Sequence, residues 1–348
     1  MNKSSYCPFG THRVISPENA LPQNAEKVDN SLPIKDNEIL IDVEVLNIDS
    51  ASFYQMMTAC DHAIESVGER ICKTVELRGK QHNPVTGSGG MLLGTVKEMG
   101  EHYENRDNLK VGDRVATLVS LSLTPLKIDK IIKIHPHKDQ VEIKGHAILF
   151  SSSIISKLPS DMDESLALAI LDVCGAPAQT KRLVKKDFTV VVLGAGGKSG
   201  TLCLAAASDI LKGSGKLIAI EPFDNGVKRL KHLGFCDHVL QVDAKNPVDV
   251  FHAVQEATNN KMADLVINCA NVPDTEMASI LSAKLNGIVY LFSMASSFSK
   301  AALGAEGVRS DATLIIGNGY APDHAEYALQ LIRDHKNIQE LFETVYSD

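Results

Sequence analysis

Phe188-Thr-Val-Val-Val-Leu-Gly194-Ala-Gly196-Gly197-Lys198-Ser199-Gly200 runs from an apolar, β-branched stretch straight into a cluster of glycines. The apolar part reads as a buried parallel strand, the glycines as a tight turn, and the residues after them as a helix start. Such a turn lets a pyrophosphate approach bare backbone at a helix N-terminus, where unpaired N–H groups and the helix dipole favour negative charge. Gly194, Gly196, Gly197, Lys198 and Ser199 are therefore the candidate cradle for a dinucleotide. The spacing fits G-x-G-x-x-x-G and equally G-x-x-G-x-x-G, departing from the usual fingerprint. The Gly197-Lys198-Ser199 tail does not make a triphosphate loop, because that motif needs a glycine where Val192 stands.

Working outward, residues 201–211 form a small-residue-rich helical stretch, and Lys216-Leu-Ile-Ala-Ile-Glu221 is a second strand ending in a carboxylate. Glu221 follows Gly200 by 21 positions (221 − 200), close to the ~20 expected of the acid that binds a ribose 2′-hydroxyl. Its charge would repel a 2′-phosphate, which favours NAD. Lys228 and Arg229 on the next helix keep NADP open. The plainer alternative for Glu221 is a solvated carboxylate at a strand end.

Further strands follow at His238-Val-Leu-Gln-Val, Asp264-Leu-Val-Ile-Asn268, Gly287-Ile-Val-Tyr-Leu-Phe292 and Ala312-Thr-Leu-Ile-Ile316, separated by helical stretches. Strand–helix alternation implies right-handed crossovers and an α/β, doubly wound parallel sheet, a Rossmann domain expected over 156–319. A chain of 348 residues exceeds the size at which one core usually stops growing, so a second domain is expected. The first 150 or so residues read as short β-rich runs such as Glu38-Ile-Leu-Ile-Asp-Val-Glu-Val-Leu46, whose period of two describes a half-buried strand. An all-β module over 1–155 is expected, rejoined by 320–348, where a helix from His324 to about Tyr346 closes the chain.

A net charge of −8 with no dense basic stripe disfavours a nucleic-acid partner. No apolar run approaches the ~20 residues of a membrane span, and the polar start is not a signal peptide, so a cytoplasmic protein is expected. Seven scattered cysteines without a C-x-x-C pair read as reduced and mostly buried thiols. Cys174 lies on the connection into the Rossmann domain.

A β-rich domain preceding a Rossmann domain, with Gly94-Thr-Val, Val111-Gly-Asp-Arg-Val and the turn at Gly194, resembles the medium-chain dehydrogenase/reductase superfamily and implies a GroES-like N-terminal barrel. Many members hold a catalytic zinc through a cysteine after the first strand and a glycine-histidine-glutamate motif. Here those regions read Asn47-Ile-Asp49-Ser and Pro84-Val-Thr-Gly-Ser-Gly-Gly90, which supply neither thiolate nor imidazole. No metal is expected; only His82 or Cys60 could contribute a donor from unaligned positions. Two further segments, Pro8-Phe-Gly-Thr-His12-Arg13-Val-Ile-Ser-Pro continuing to Leu21-Pro22-Gln23, and Arg78-Gly-Lys-Gln-His82-Asn83-Pro84-Val-Thr-Gly-Ser88, resemble the zinc-independent 3,5-diaminohexanoate dehydrogenase family of bacterial lysine fermentation. That resemblance implies NAD-dependent oxidative deamination of L-erythro-3,5-diaminohexanoate to 5-amino-3-oxohexanoate, ammonia and NADH. Superfamily members commonly pair the edge of the Rossmann sheet, so a homodimer through Thr313–Ile316 is expected.

Such chemistry requires a base for the ammonium proton before hydride leaves C3, and a pocket with at least one cation and one or more acids for an amino acid substrate. Arg78 and Arg13 are the candidate carboxylate clamps. Asp49, Glu76 and Asp172 are candidate ammonium partners, His82 the first choice for the proton shuttle, and Tyr54 and His12 further candidates. Asn271 and Ser293, after the fourth and fifth Rossmann strands, resemble positions lining the nicotinamide pocket. Each has a plainer reading: solvated loop for Arg78 and His82, edge strand for His12 and Arg13, turn carboxylate for Asp49, helix-terminal charge for Asp172, loop residue for Asn271, polar cap for Ser293. Competing activities are a zinc-independent quinone or enoyl reductase and a non-catalytic NAD-binding sensor.

Overall fold

The computed structural model describes residues 6–317 and 319–345, apart from the side chains of Ser50 and Ala51. It divides into two units, Met1–Asp161 and Met162–Asp348.

The first unit is built on β3 (Glu38–Asn47). Around it lie β1 (Val14–Ser16), β2 (Lys27–Val28), β4 (Met91–Met99), β5 (Arg114–Thr117), β6 (Leu126–His135), β7 (Gln140–Phe150) and β8 (Ile155–Lys157). Six of them form one antiparallel sheet in the order β6-β7-β3-β4-β5-β8, with β1 and β2 as a separate pair. The expected alternation in β3 fails at its start, where Glu38 to Ile41 are all buried. The polar side of Glu38 is covered because His12 and Arg13 fold over it.

This unit is not all-β. Two helices, α1 (Ser50–Ala59) and α2 (Ile64–Arg78), separate β3 from β4. The α2 sequence buries Val67, Gly68, Ile71 and Val75, a stripe of helical period, and the helix lies against β6. Tyr54 and Glu76 thus sit on helices, Arg78 is a helix terminus, and Asp49 is an N-cap.

The second unit opens with α3 (Glu164–Leu171) and α4 (Gly175–Leu183). The alternating order then follows: β9 (Thr189–Leu193), α5 (Lys198–Leu211), β10 (Lys216–Ile220), α6 (Asp224–Leu233), β11 (His238–Leu240), α7 (Pro247–Ala257), β12 (Ala263–Asn268), α8 (Glu276–Ser282), β13 (Ala283–Leu291), α9 (Phe298–Gly307) and β14 (Thr313–Ile316). All pairings are parallel, in the order β11-β10-β9-β12-β13-β14. This is the doubly wound arrangement, with its reversal of direction between β9 and β12. Apolar side chains are buried on both faces of β9, which explains its unbroken Val run.

The chain closes with α10 (His324–Asp334) and α11 (Lys336–Val345). The expectation that 320–348 rejoin the β-rich unit is corrected: these helices lie in the second unit, where α10 packs on α3, α4 and α5 and α11 on α3 and α5. Ala328, Leu331 and Ile332, then Ile338 and Phe342, give each an apolar face suited to neighbouring helices rather than to a sheet edge. Tyr346 lies outside the described residues. No described helix is long and apolar enough to cross a membrane.

Candidate functional site

In the second unit, the glycine turn joins β9 to α5 beside the β9/β12 switch point. Gly194 has φ +67°, and a Cβ there would come within 2.6 Å of Ala270 Cα. Only glycine suits both demands. The turn ends at Gly197, which caps α5 without any side-chain hydrogen bond, so the helix offers its first N–H groups and its positive dipole end outward.

Glu221, expected as either ribose acid or solvated carboxylate, is buried and folded back onto this turn. Its Oε2 accepts from Gly196 N–H at 3.0 Å and its Oε1 from Phe223 N–H at 3.3 Å. A Cβ on Gly226 would stand 2.6 Å from the same carboxylate, so α6 is glycine where Glu221 needs room. Arg229 reaches the turn as well, donating from Nη2 to Gly196 O at 3.3 Å, while its buried Nε finds no partner among the described residues. An acid at the end of the second strand, bonded to the glycine turn below a helix N-terminus, fits the ribose and pyrophosphate of a dinucleotide.

The other cofactor-side candidates divide. Lys198 ion-pairs with Asp172 at 3.1 Å, which places Asp172 at the end of α3 as a helix-terminal charge engaged by the turn's own lysine. Ser293 is buried, its Oγ accepting from Ala295 N–H at 3.2 Å, as a polar cap would. Asn271 is exposed. The residue that organises this end of the sheet is one that sequence reasoning missed: Asn268, fully buried, donates from Nδ2 to Thr275 and Ser279 and accepts the N–H groups of Phe292 and Ser293 on its backbone carbonyl. A lone Asn at a strand end carries no sequence signal for that. Burial pushes the thiol of Cys174 up to about 12, consistent with an inert core cysteine.

In the first unit, Arg13 is buried with every guanidinium nitrogen engaged. Nε and Nη2 bind Glu38 at 2.8 and 2.6 Å, Nη1 binds Asp29 and Ser31 O, and Nη2 also binds Pro33 O. His12 Nε2 meets the same carboxylate at 2.8 Å. Burial opposes ionisation of Glu38, but the Arg13 and His12 bonds outweigh it and hold the carboxyl at about 2. Arg13 therefore has no donor left for a substrate, and His12 presents Nε2 to Glu38; both build the N-terminal wall of this unit.

Arg78 and His82 do come together. Gly79 ends α2 with φ +70°, and after one reversal Arg78 Nη1 stands 3.1 Å from His82 Nδ1. Arginine is always a donor, so Nδ1 is the acceptor and the neutral ring carries its proton on Nε2. Burial, then Lys80 and Arg78, hold the His82 pKa below its usual value. In this arrangement neutral His82 presents an N–H rather than a lone pair, which suits anion binding better than the proton-shuttle role expected of it. A cleft of about 450 Å³ opens beside Arg78, with Arg70, Lys73, Glu69 and Pro84 in its walls. Glu76 is exposed and not in those walls, and Tyr54 is 70% exposed.

Asp49 caps α1. Its Oδ1 accepts from Ser52 N–H at 3.0 Å, while Oδ2, buried, has no partner among the described residues. Asn83 ties the His82 loop to this helix, donating to Gln55 Oε1 at 3.0 Å and Ser52 O at 3.4 Å. Gly90, at the loop's far end, is so close to Asp49 that a Cβ would lie 2.9 Å from its backbone nitrogen. The arrangement offers one unpaired carboxylate oxygen and, along the same loop, an N–H donor pair. Lys80 and Gln81, missed in the sequence because a polar loop is normally solvated, are both fully buried, and neither atom of the Gln81 amide has a partner among the described residues. Among those residues no group of three or more His, Cys, Asp or Glu side chains could hold a metal ion.

Residues 12–159 match the family model of the L-erythro-3,5-diaminohexanoate dehydrogenase N-terminal domain. Over 340 residues the chain is 53% identical to the L-erythro-3,5-diaminohexanoate dehydrogenase of Fusobacterium nucleatum and 51% identical to that of Acetoanaerobium sticklandii, covering 98% of this chain and 99% of each relative. Among solved structures it is similar to a mycobacterial quinone oxidoreductase (TM-score 0.55, 18% identity, 91% of this chain and 86% of that one). It is also similar to an alcohol dehydrogenase of Thermotoga maritima (TM-score 0.54, 15% identity, 90% and 86%). These likenesses are of fold: a GroES-like β-rich unit with a Rossmann unit.

Proposed function

This chain belongs to the L-erythro-3,5-diaminohexanoate dehydrogenase family, and from that premise we propose that it oxidatively deaminates L-erythro-3,5-diaminohexanoate at C3 with a nicotinamide dinucleotide. The turn at Gly194, the first turn of α5 and Glu221 would hold the dinucleotide, whose bound nicotinamide supplies a hydride acceptor. Glu221 on the turn supports NAD over NADP, since its charge opposes a 2′-phosphate. A mycobacterial relative in fold is complexed with NADPH, and Arg229 beside Gly196 keeps some use of NADP in scope.

The observation that carries the reading of the reacting end is the unpartnered Oδ2 of Asp49. With Oδ1 engaged by the helix cap, Oδ2 is the oxygen left to take a proton from the C3 ammonium, giving the neutral amine whose lone pair assists hydride loss from C3. Water then adds to the resulting imine, ammonia leaves, and 5-amino-3-oxohexanoate remains. Arg78 and the Nε2–H of His82 bind the substrate carboxylate, and Glu69 in the cleft beside Arg78 suits the second ammonium. A carboxylate that pairs with and deprotonates an ammonium suits a cationic amine better than an uncharged quinone or enoyl substrate, which favours the amine.

We further assign the working form to a cytoplasmic homodimer joined along β14, the last strand of the parallel sheet; the seven cysteines, none in a disulfide, suit a reducing compartment. The test of the activity is simultaneous measurement of NADH and ammonia on incubating the purified protein with NAD and a panel of 3-amino acids. Equal yields from the diamine support the proposal; no NADH from it overturns it.

A further inference from the structure

Lys80 is among the largest fully buried side chains in the molecule. Its Nζ donates to the backbone carbonyls of Pro22 at 2.6 Å and Gln23 at 3.1 Å. Those carbonyls belong to the N-terminal segment, so one ammonium stitches together two stretches 58 residues apart in sequence. The approach is set by Gly79. Its left-handed backbone turns the chain directly after Arg78, and a Cβ there would lie 2.0 Å from Val28 O, against the strand that comes after the Pro22 loop. Lys80 is thus fixed at both ends, by the turn behind it and by the carbonyls ahead.

Burying an ammonium is costly even with two carbonyl partners, and a methionine of similar length would fill the space without that cost. The charge is therefore best explained by what lies beside it. Lys80 falls between Arg78 and His82, the two members of the donor pair.

We propose that Lys80 is the positioning residue of the Arg78–His82 pair, a buried cation that anchors their turn to the N-terminal segment and makes them a preformed receptor for the substrate's carboxylate. This role rests on Arg78 and His82 binding that carboxylate. The electrostatics agree. Burial with Arg78 nearby brings Lys80 down to about 8, and Lys80 and Arg78 are the two charged groups that disfavour protonation of His82. Two cations flanking an imidazole keep it neutral, and with Nδ1 taken by Arg78 the only form left to it is the Nε2–H donor.

The test uses the full-length protein labelled with ¹⁵N-histidine, with and without Lys80→Met. In the unsubstituted protein the His82 resonances should report the Nε2–H tautomer and a protonation midpoint below that of free histidine, and they should shift a second time near pH 8 as Lys80 loses its proton. In Lys80→Met the midpoint should rise, and KM for the diamine should increase by about tenfold, as expected from losing roughly 1.4 kcal/mol of preorganised binding. KM for NAD should be unchanged. An unchanged midpoint and tautomer in a folded Lys80→Met protein would overturn the proposal. Should that variant not fold, a neutral His82 carrying its proton on Nδ1 in the unsubstituted protein overturns it by itself. The NMR readings need no turnover, so they separate failure of this inference from failure of the proposed activity.

Discussion

Arg78 donates to Nδ1 of His82 across 3.1 Å, and that one bond decides what the histidine can do. With its Nδ1 lone pair taken and its proton on Nε2, neutral His82 has an N–H to offer an anion and no free lone pair to offer a proton. In the reaction proposed above, proton acceptance falls instead to Asp49, whose Oδ2 has no partner among the described residues.

His82→Ala and Arg78→Ala should therefore act on substrate binding. Each removes a hydrogen bond to a charged group, so KM for the diamine should rise about 10- to 100-fold. kcat should change much less, and the shape of the pH–rate profile should be kept. Steady-state kinetics across pH check this, and loss of the acidic limb in His82→Ala would restore the histidine as base.

Asp49→Asn should behave in the opposite way. Asparagine caps a helix as well as aspartate does, so Tm should hold. kcat should fall by about 10²- to 10⁴-fold, the usual contribution of general-base catalysis. Thermal melting and turnover measured on one preparation separate the two roles of this side chain.

Glu221→Ala should weaken NAD and relax the choice of cofactor. The substitution frees Gly196 N–H and removes the charge opposed to a 2′-phosphate, so the ratio of kcat/KM for NAD to that for NADP should drop about tenfold or more. Comparing the two cofactors under saturating diamine gives the ratio directly.

Arg13→Ala should cost stability, not specificity. Glu38 is left buried without its partner, a loss of about 3–5 kcal/mol, while KM of the surviving folded enzyme for the diamine should stay constant. The pair also sets an acid limit. Glu38 ionises at about 2 in the fold against an ordinary 4.5, so its contribution is fully present above pH 4.5 and is lost as pH falls from there through 2. Denaturant melts of both proteins over that window should converge as the pH falls.

Chelation should leave turnover intact, because Asp49 and the Pro84–Gly90 stretch supply neither thiolate nor imidazole and no group of three or more His, Cys, Asp or Glu side chains among the described residues could hold a metal ion. Activity before and after dialysis against chelator measures this.

The Rossmann half was readable because its signals are local: unbroken apolar strands, a glycine turn and an acid at a fixed distance each report on a few neighbouring residues. The stripe of Val67, Ile71 and Val75 was just as local but lay inside a chain segment already read as β-rich, so α1 and α2 were missed. Arg13 was misread for another reason. Its partner Glu38 lies 25 residues away across a fold-back, and nothing in either segment distinguishes an arginine that binds substrate from one that binds its own chain. The same holds for Lys80, whose burial depends on carbonyls 57 and 58 residues upstream. Asp49 was legible as a turn carboxylate, but that its Oδ1 caps α1 and leaves Oδ2 without a partner among the described residues follows from the helix the sequence reading missed.

The most direct test tracks the hydrogen at C3. Diamine deuterated at C3 alone should give, with NAD, one deuterium on each NADH formed and one ammonia released with it. NADH free of label, or label transferred only when deuterium is placed at C5, would contradict the reaction assigned to this chain.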